Sequence, residues 1–470
     1  MVNEIYCSDE YGFRITRSQT VNIMLGMMLI CNIVWSDSPY AGFSSLLCMV
    51  LFFWNLYLSR PVLYLKYLHY FFGSVAGILG CAVIEYSQIP LIELSDESHF
   101  CGSLPLLVFS WWTFIFTLSI CDSRISDKLE KRSMEIGSSL SDGFRLDNRT
   151  INSVLLILGI IGCFLTAAVF AVVSKNPSFK IGIDRFDYSM MFDYGALYGY
   201  ALRMITYLII PCIVIAIINN SKIGWIALGF YCLHSLWIGN KFGSFFSLLC
   251  TITMIYSCKL EAYIWKAKRL VGLLMVLVLF LVGVAVVGAS FTDEYGLTDY
   301  FSPRLAQQGQ LWWKTYDLSN SVHIGEIKDE VQSIRKGHPE IGENVDSRYG
   351  VYKIMYYTTP KTKVDTKLQA GSRYTEAGFA AAYYYLGPLG CVLFAILGGV
   401  LASVFVNYFL FFLRYRQYVR AFIHLRLYSN LAVFMSMFIF FPFFNKTSLL
   451  SYAILLLGKN RLFSYGREQI

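Results

Sequence analysis

Apolar runs of membrane-spanning length recur along this chain, each closed by a short polar or charged stretch: 20–36, 41–58, 62–84, 103–121, 151–173, 197–218, 223–238, 242–257, 270–290, 379–413, 421–441 and 447–458. A helix needs about 20 largely apolar residues to cross a hydrocarbon core. The pattern therefore predicts an all-α integral membrane protein with about 12 transmembrane helices, several of them short. The run 379–413 exceeds a bilayer thickness and is divided by Gly387-Pro388, which predicts an interfacial or re-entrant piece ahead of the true span. The polar stretch 291–378 is too long for a simple connection. It divides the chain into helices 1–9 over residues 1–290, a large loop over 291–378, and helices 10–12 over 379–470.

Composition agrees with that division. The chain has 470 residues, 56% hydrophobic and 15% charged, where a soluble domain carries about 25% charge. So much apolar surface does not fit inside a water-soluble core. The net charge of +8 accompanies no nucleic-acid-binding motif, so it reads as membrane topology. With the N-terminus inside, the inner segments hold 21 of the 39 Lys and Arg, among them Arg60, Lys66, Arg124, Lys128, Arg414 and Arg420. The short outer connections hold five: Lys175, Lys180, Arg185, Lys241 and Lys446. Both termini are then expected in the cytoplasm, with 291–378 outside. The start of the chain lacks a cleavage signature and reads as an uncleaved anchor. Most cysteines sit inside apolar runs without a CxxC pair, as small hydrophobes do.

The outer loop carries eleven Lys and Arg against twelve Asp and Glu, interleaved with Trp312, Trp313 and many tyrosines, so it is expected to fold. Ser302-Pro303 reads as an N-cap followed by proline at the first helical position, opening a helix RLAQQGQLWWKTY. Its period puts Arg304, Gln308 and Trp312 on one face, and such a helix would lie on the membrane surface with its tryptophans at headgroup level. Gly73, Gly77 and Gly80 read as close helix packing. His69, His234 and His424 are scattered over different depths, and the Ser-rich, charged segment 122–150 reads as a solvated linker.

The sequence has no Walker loop, HExxH, GxGxxG after a strand or nucleophile elbow. What it offers is a set of outward-facing cations. Arg185 lies in KIGIDRFDY, Arg203 about two turns into the next span, and Lys241 in GNKFG; the loop adds Arg304, Arg348 in DSRYG and Arg373 in GSRYTEAGF. An arginine inside a span costs several kcal/mol unless it meets an anion, water or a partner. Either Arg203 snorkels or pairs with Asp187 or Asp193, or these cations converge on a pyrophosphate, whose oxygens match the guanidinium fork.

The strings RLAQQGQLWW and GSRYTEAGFAAAYYYLGPLG, with the late outer loop and the arginine-bearing loop around Arg185, resemble the bacterial O-antigen (repeat-unit) polymerases, the Wzy-type membrane glycosyltransferases. The resemblance implies a GT-C-like fold in the bacterial inner membrane with a periplasmic active site. The implied substrates are oligosaccharides on undecaprenyl pyrophosphate, the polymer being moved from its lipid pyrophosphate to the non-reducing end of one repeat unit. A separate chain-length regulator is the implied partner beside the bilayer. Arg304 matches the arginine heading the loop helix and Arg185 that of the earlier loop; Arg348 and Arg373 are added from position.

Preorganised arginines can stabilise a departing pyrophosphate without a metal or other cofactor. The first outer loop, SDSPY, offers only Asp37 as a metal ligand. Glu376 is the expected base, with Asp187 as rival. Arg203, Lys241, Gln308, Trp312, Trp313, Arg348, Arg373 and Tyr374 are the expected substrate contacts. The tyrosines at 349, 352, 356 and 357 either stack on sugars or pack the loop. Two alternatives stand beside this reading: an O-antigen ligase using His323 or His338, and a lipid-linked oligosaccharide flippase, which would show similar halves that are not evident here.

Overall fold

The computed structural model describes residues 17–135 except 88 and 92, residue 213, and residues 222–237, 242–260, 263–276, 304–336 except 320, 349–369, 374, and 376–457 except 416. Helices α1 (Arg17–Val34) and α2 (Pro39–Ser59) form a hairpin, with Pro39 opening α2 where a helix has no use for its missing N–H. Amide side chains join the pair: Asn32 donates to the Ser44 and Ser45 hydroxyls at 3.1 Å, and Asn55 to Asn22 Oδ1 at 2.7 Å. In an apolar surround such bonds hold helices together where the hydrophobic effect is weak. The opposite faces expose Met24, Met27, Leu47 and Trp54, as a lipid-facing surface does.

The run expected as one span over 62–84 arrives as two helices, α3 (Pro61–Lys66) and α4 (Leu68–Ser87). Tyr67 breaks it at φ −125° and ψ 29°. The reason is polar: the Tyr67 hydroxyl donates to Asp122 Oδ1 at 2.8 Å, and Lys66 pairs with the same oxygen at 3.5 Å. Beyond α4 a short antiparallel pair, β1 (Pro90–Leu91) and β2 (Asp96–Glu97), sets Pro90 opposite Glu97 and leads into α5 (Leu104–Glu135). Helices α6 (Lys222–Trp237) and α7 (Phe242–Leu260) follow, close to their expected places.

The described part of the loop 291–378 is helical. It holds α8 (Gln310–Leu318), a 3₁₀ turn Ile324–Glu326, α9 (Ile327–Lys336), α10 (Gly350–Thr358) and α11 (Lys361–Gln369). The expected single helix from Arg304 is interrupted, since 304–306 form one helical turn and 307–309 a tight turn before α8. Nor does it lie on a membrane surface. Trp312 and Trp313 are buried, and their indole N–H groups donate to Ser103 O at 3.2 Å and His99 O at 3.0 Å.

Then come α12 (Gly378–Arg414), α13 (Tyr418–Met437), α14 (Phe441–Phe444) and α15 (Lys446–Leu457). Gly387, at φ 63° and ψ −151°, kinks α12 ahead of Pro388. The piece before the kink, expected as interfacial or re-entrant, is buried in protein. Phe379, Ala380, Ala381 and Tyr385 are buried, and it packs against α8 and α10 within the protein. The rest of α12 runs along α5, with α13 on its other side. Gly399 permits that approach, since a methyl there would sit 2.7 Å from Phe114 O.

Among the described residues, four helices are long and apolar enough to cross a membrane: α2, α4, α5 over Leu104–Lys131, and α12. The chain is thus a helical, membrane-embedded protein. The expected spans at 151–173, 197–218 apart from Ile213, and most of 270–290 lie outside the described residues.

Candidate functional site

The site begins with three glycines on α4. Gly73, Gly77 and Gly80 follow one another at helical spacing and share a face. A methyl on Gly80 would stand 2.5 Å from Leu305 O and 2.7 Å from Gly309 N, and a methyl on Gly309 would overlap Cys81 N. The turn after Arg304 therefore rests backbone to backbone on α4. Of the expected close-packing stripe only Gly80 packs tightly, and its partner is the 304–309 turn rather than another helix.

Towards the middle of α4 the contacts change character. A methyl on Gly77 would meet Trp111 Nε1 at 3.6 Å and Gln308 O at 4.0 Å; on Gly73 it would meet Glu376 Oε1 and Trp111 Cη2, both at 3.9 Å. These are ordinary contact distances, so a methyl at either glycine would fit without displacing its neighbours. Trp111, on α5, is fixed edge-on by Phe379 at 5.0 Å and Phe114 at 5.6 Å.

Glu376 is held in place by strain and by an anchor. Its backbone sits in the left-handed region at φ 59°, a conformation costing a side-chain-bearing residue about 1–2 kcal/mol. Next to it, Ala377 N donates to Ser436 O at 2.8 Å. The Glu376 carboxyl has no hydrogen-bond or ion-pair partner among the described residues. It lies deep in the protein, although the residue keeps partial access to solvent. Burial pushes its pKa up to about 8.

Arg304 stands exposed at the start of the turn, with no ion pair among the described residues. Two other polar residues of its string are occupied. Gln307 donates to Glu93 Oε1 at 3.4 Å, Gln310 donates to Glu93 Oε2, and Lys367 pairs with Oε1. Tyr374, expected to touch substrate, is buried; its hydroxyl donates to Glu93 O at 2.9 Å, and Lys367 Nζ lies 4.1 Å from its ring centroid. Glu93, which the sequence reading passed over, thus ties the loop to the β1–β2 turn.

The expected residues separate into three groups. Gln308 and Glu376 border the glycine face of α4, and Arg304 is exposed just ahead of the turn docked on it. Trp312, Trp313 and Tyr374 are buried in packing, as are Tyr349 and Tyr352, while Tyr356 donates to Asp365 at 2.6 Å and Tyr357 to Leu318 O at 3.2 Å. Arg185, Arg203, Lys241, Arg348 and Arg373 lie outside the described residues. Trp111, which the sequence reading did not place at the site, is 4% exposed and faces Gly77. Its signal in the sequence was the glycine spacing on one span opposite a tryptophan pair on the next.

Residues 344–452 match a family of unknown function, DUF6418, a segment that contains Glu376 and all of α12 and α13 but not the turn at Arg304. No curated protein and no solved structure matches the chain.

Proposed function

We propose that this chain is an O-antigen polymerase, a membrane glycosyltransferase working at the periplasmic face of the bacterial inner membrane. One observation carries the reading: an exposed, unpaired arginine heads a turn laid on an apolar helix, and the same helix face meets an unpaired, deeply set carboxyl. A cation for a departing pyrophosphate and a carboxyl for an incoming hydroxyl are the two groups such a transfer needs.

In that reaction the bond from the polymer's anomeric carbon to the lipid pyrophosphate breaks. A bond forms to a hydroxyl oxygen of the repeat unit, and the hydroxyl proton passes to Glu376. Arg304 stabilises the leaving diphosphate, joined in this reading by Arg185, Arg203, Lys241, Arg348 and Arg373. A guanidinium stays charged throughout and matches phosphate oxygens in pairs. Glu376, with its raised pKa, is the stronger base for being buried.

Disrupting the gene and separating the lipopolysaccharide on a gel tests the proposal. A polymerase leaves core bearing one repeat unit. Core without O-antigen indicates a ligase, repeat units stalled at the inner leaflet indicate a flippase, and an unchanged ladder overturns the reading. Complementation with Arg304→Ala is expected to give single units only, and so is Arg304→Lys, which keeps the charge and loses the fork.

A further inference from the structure

We infer that Gly73 and Gly77 of α4, with Trp111, Gln308 and Glu376, form a subsite for the hydroxyl groups of a sugar ring. The inference rests on the glycosyltransferase reading and names what the site holds. A methyl fits beside each of the two glycines, and the atoms bordering these positions are polar in a complementary way. At Gly77 the border is a donor, Trp111 Nε1, and an acceptor, Gln308 O; at Gly73 it is the Glu376 carboxyl and the carbon edge of the indole. A hydroxyl both donates and accepts, so it satisfies such a mixed border.

The indole N–H is the second, independent mark of a ligand. Trp111 is 4% exposed, and its Nε1 has no hydrogen-bond partner among the described residues. Buried polar groups are nearly always paired. The neighbouring Trp112 Nε1 is also unpaired but sealed from solvent, whereas that of Trp111 opens onto the space beside Gly77. An anion is disfavoured by the Glu376 carboxyl and the Gln308 carbonyl. An alkyl chain would leave donor and acceptors without partners. The two spaces lie about 6 Å apart along the helix, a separation that one pyranose ring bridges with hydroxyls at either end.

Alanine at these positions is a sharp probe. A methyl on Gly73 or Gly77 makes only ordinary contacts, and alanine is the better helix former. Gly77→Ala therefore keeps the fold while occupying the space a hydroxyl needs. Trp111→Phe keeps most of the ring and removes the N–H. The probe is a tritium-labelled oligosaccharide cut from the host's own surface polysaccharide, bound to the full-length protein in lipid nanodiscs and measured by equilibrium dialysis.

The unaltered chain is expected to bind it, Gly77→Ala to bind about tenfold more weakly, and Trp111→Phe about fivefold more weakly. Added undecaprenyl phosphate is expected not to displace it. Unchanged binding by the two variants overturns the subsite, and so does an unaltered chain that fails to bind. Displacement by undecaprenyl phosphate overturns it in favour of a lipid chain. The lipopolysaccharide ladder separates the two proposals: if Gly77→Ala gives a full ladder and Arg304→Ala none, the subsite fails while the polymerase reading stands.

Discussion

Gly80 and Gly309 meet backbone to backbone, with neither position leaving room for a β-carbon. Small-residue contacts of this kind bring helices together in membranes; here a helix meets a turn that carries the arginine. Gly80→Ala and Gly309→Ala are each expected to undock that turn, at a cost of about 1–3 kcal/mol or more. Faster proteolytic cleavage within 304–318 would report it, and Gly77→Ala, whose methyl has room, serves as the control. Protection equal to that of the unaltered protein in both variants would contradict the geometry.

At the other end of α5, Asp122 is buried among Lys66, Tyr67 and Asn407, whose amide donates to Asp122 Oδ1 at 2.8 Å. Asn407 also donates to Ser403 O at 2.9 Å, so one amide ties α12 to α5 and to the break between α3 and α4. Truncating Asp122 removes the buried carboxylate that Lys66, Tyr67 and Asn407 share. Asp122→Ala is therefore expected to destabilise the protein by about 3–5 kcal/mol. Adding Lys66→Met is expected to recover part of that loss, because the buried ammonium that faced the lost carboxylate is removed. A thermal unfolding series in detergent on the two single variants and the double variant measures the recovery, and additive losses would refute it.

The apolar runs gave the helices their places, because a span needs only length and hydrophobicity, both local properties. Gly387-Pro388 marked the kink for the same reason. The break at Tyr67 was hidden, since it depends on Asp122 and Asn407, far along the chain. The role of the RLAQQGQ string was half legible. Its polar residues pointed to a site, but Gln307 and Gln310 bind Glu93, and only the partner shows which glutamine is occupied. The tryptophans looked like membrane-surface anchors because an indole pair beside lysine reads the same whether it faces lipid or protein. Their hydrogen bonds to Ser103 O and His99 O decide it.

Glu376 sets a pH dependence. Its carboxyl is raised by burial to about 8, against 4.5 for an ordinary glutamate. The folded protein thus holds the proton more tightly than the unfolded chain. Its stabilising effect is complete below the ordinary value and is lost as pH rises through about 8. If Glu376 takes the acceptor's proton, the polymerisation rate rises over the same interval as the carboxylate forms. Polymer formation in membrane vesicles is expected to climb towards pH 8, and Glu376→Gln to be slow and nearly flat. A rate that falls across this interval would mean that the protonated carboxyl is the working form.

A second titration acts on the loop itself. Lys314 on α8 pairs with Asp96 of β2 at 2.6 Å and with Asp317 at 2.9 Å, while His99 Nε2 meets Asp317 Oδ1 at 2.9 Å. Burial pushes the Asp317 carboxyl up, but hydrogen bonds from Lys314 and His99 outweigh it and hold the carboxyl below its ordinary value. For a depressed acid, stability is present above the unfolded-state value and lost as pH falls through the folded one. The clasp is therefore expected to hold α8 against the β1–β2 turn at neutral pH and to release it only in acid, below the ordinary aspartate value. Hydrogen exchange over 310–318 is expected to accelerate in that acid range. Asp317→Asn is expected to exchange faster already at neutral pH and to show less acceleration on acidification, because the titrating group is gone. An unchanged acid response in Asp317→Asn would assign the release to another carboxylate, with Glu326, held below its ordinary value by its hydrogen bond from Lys353, as the next to substitute.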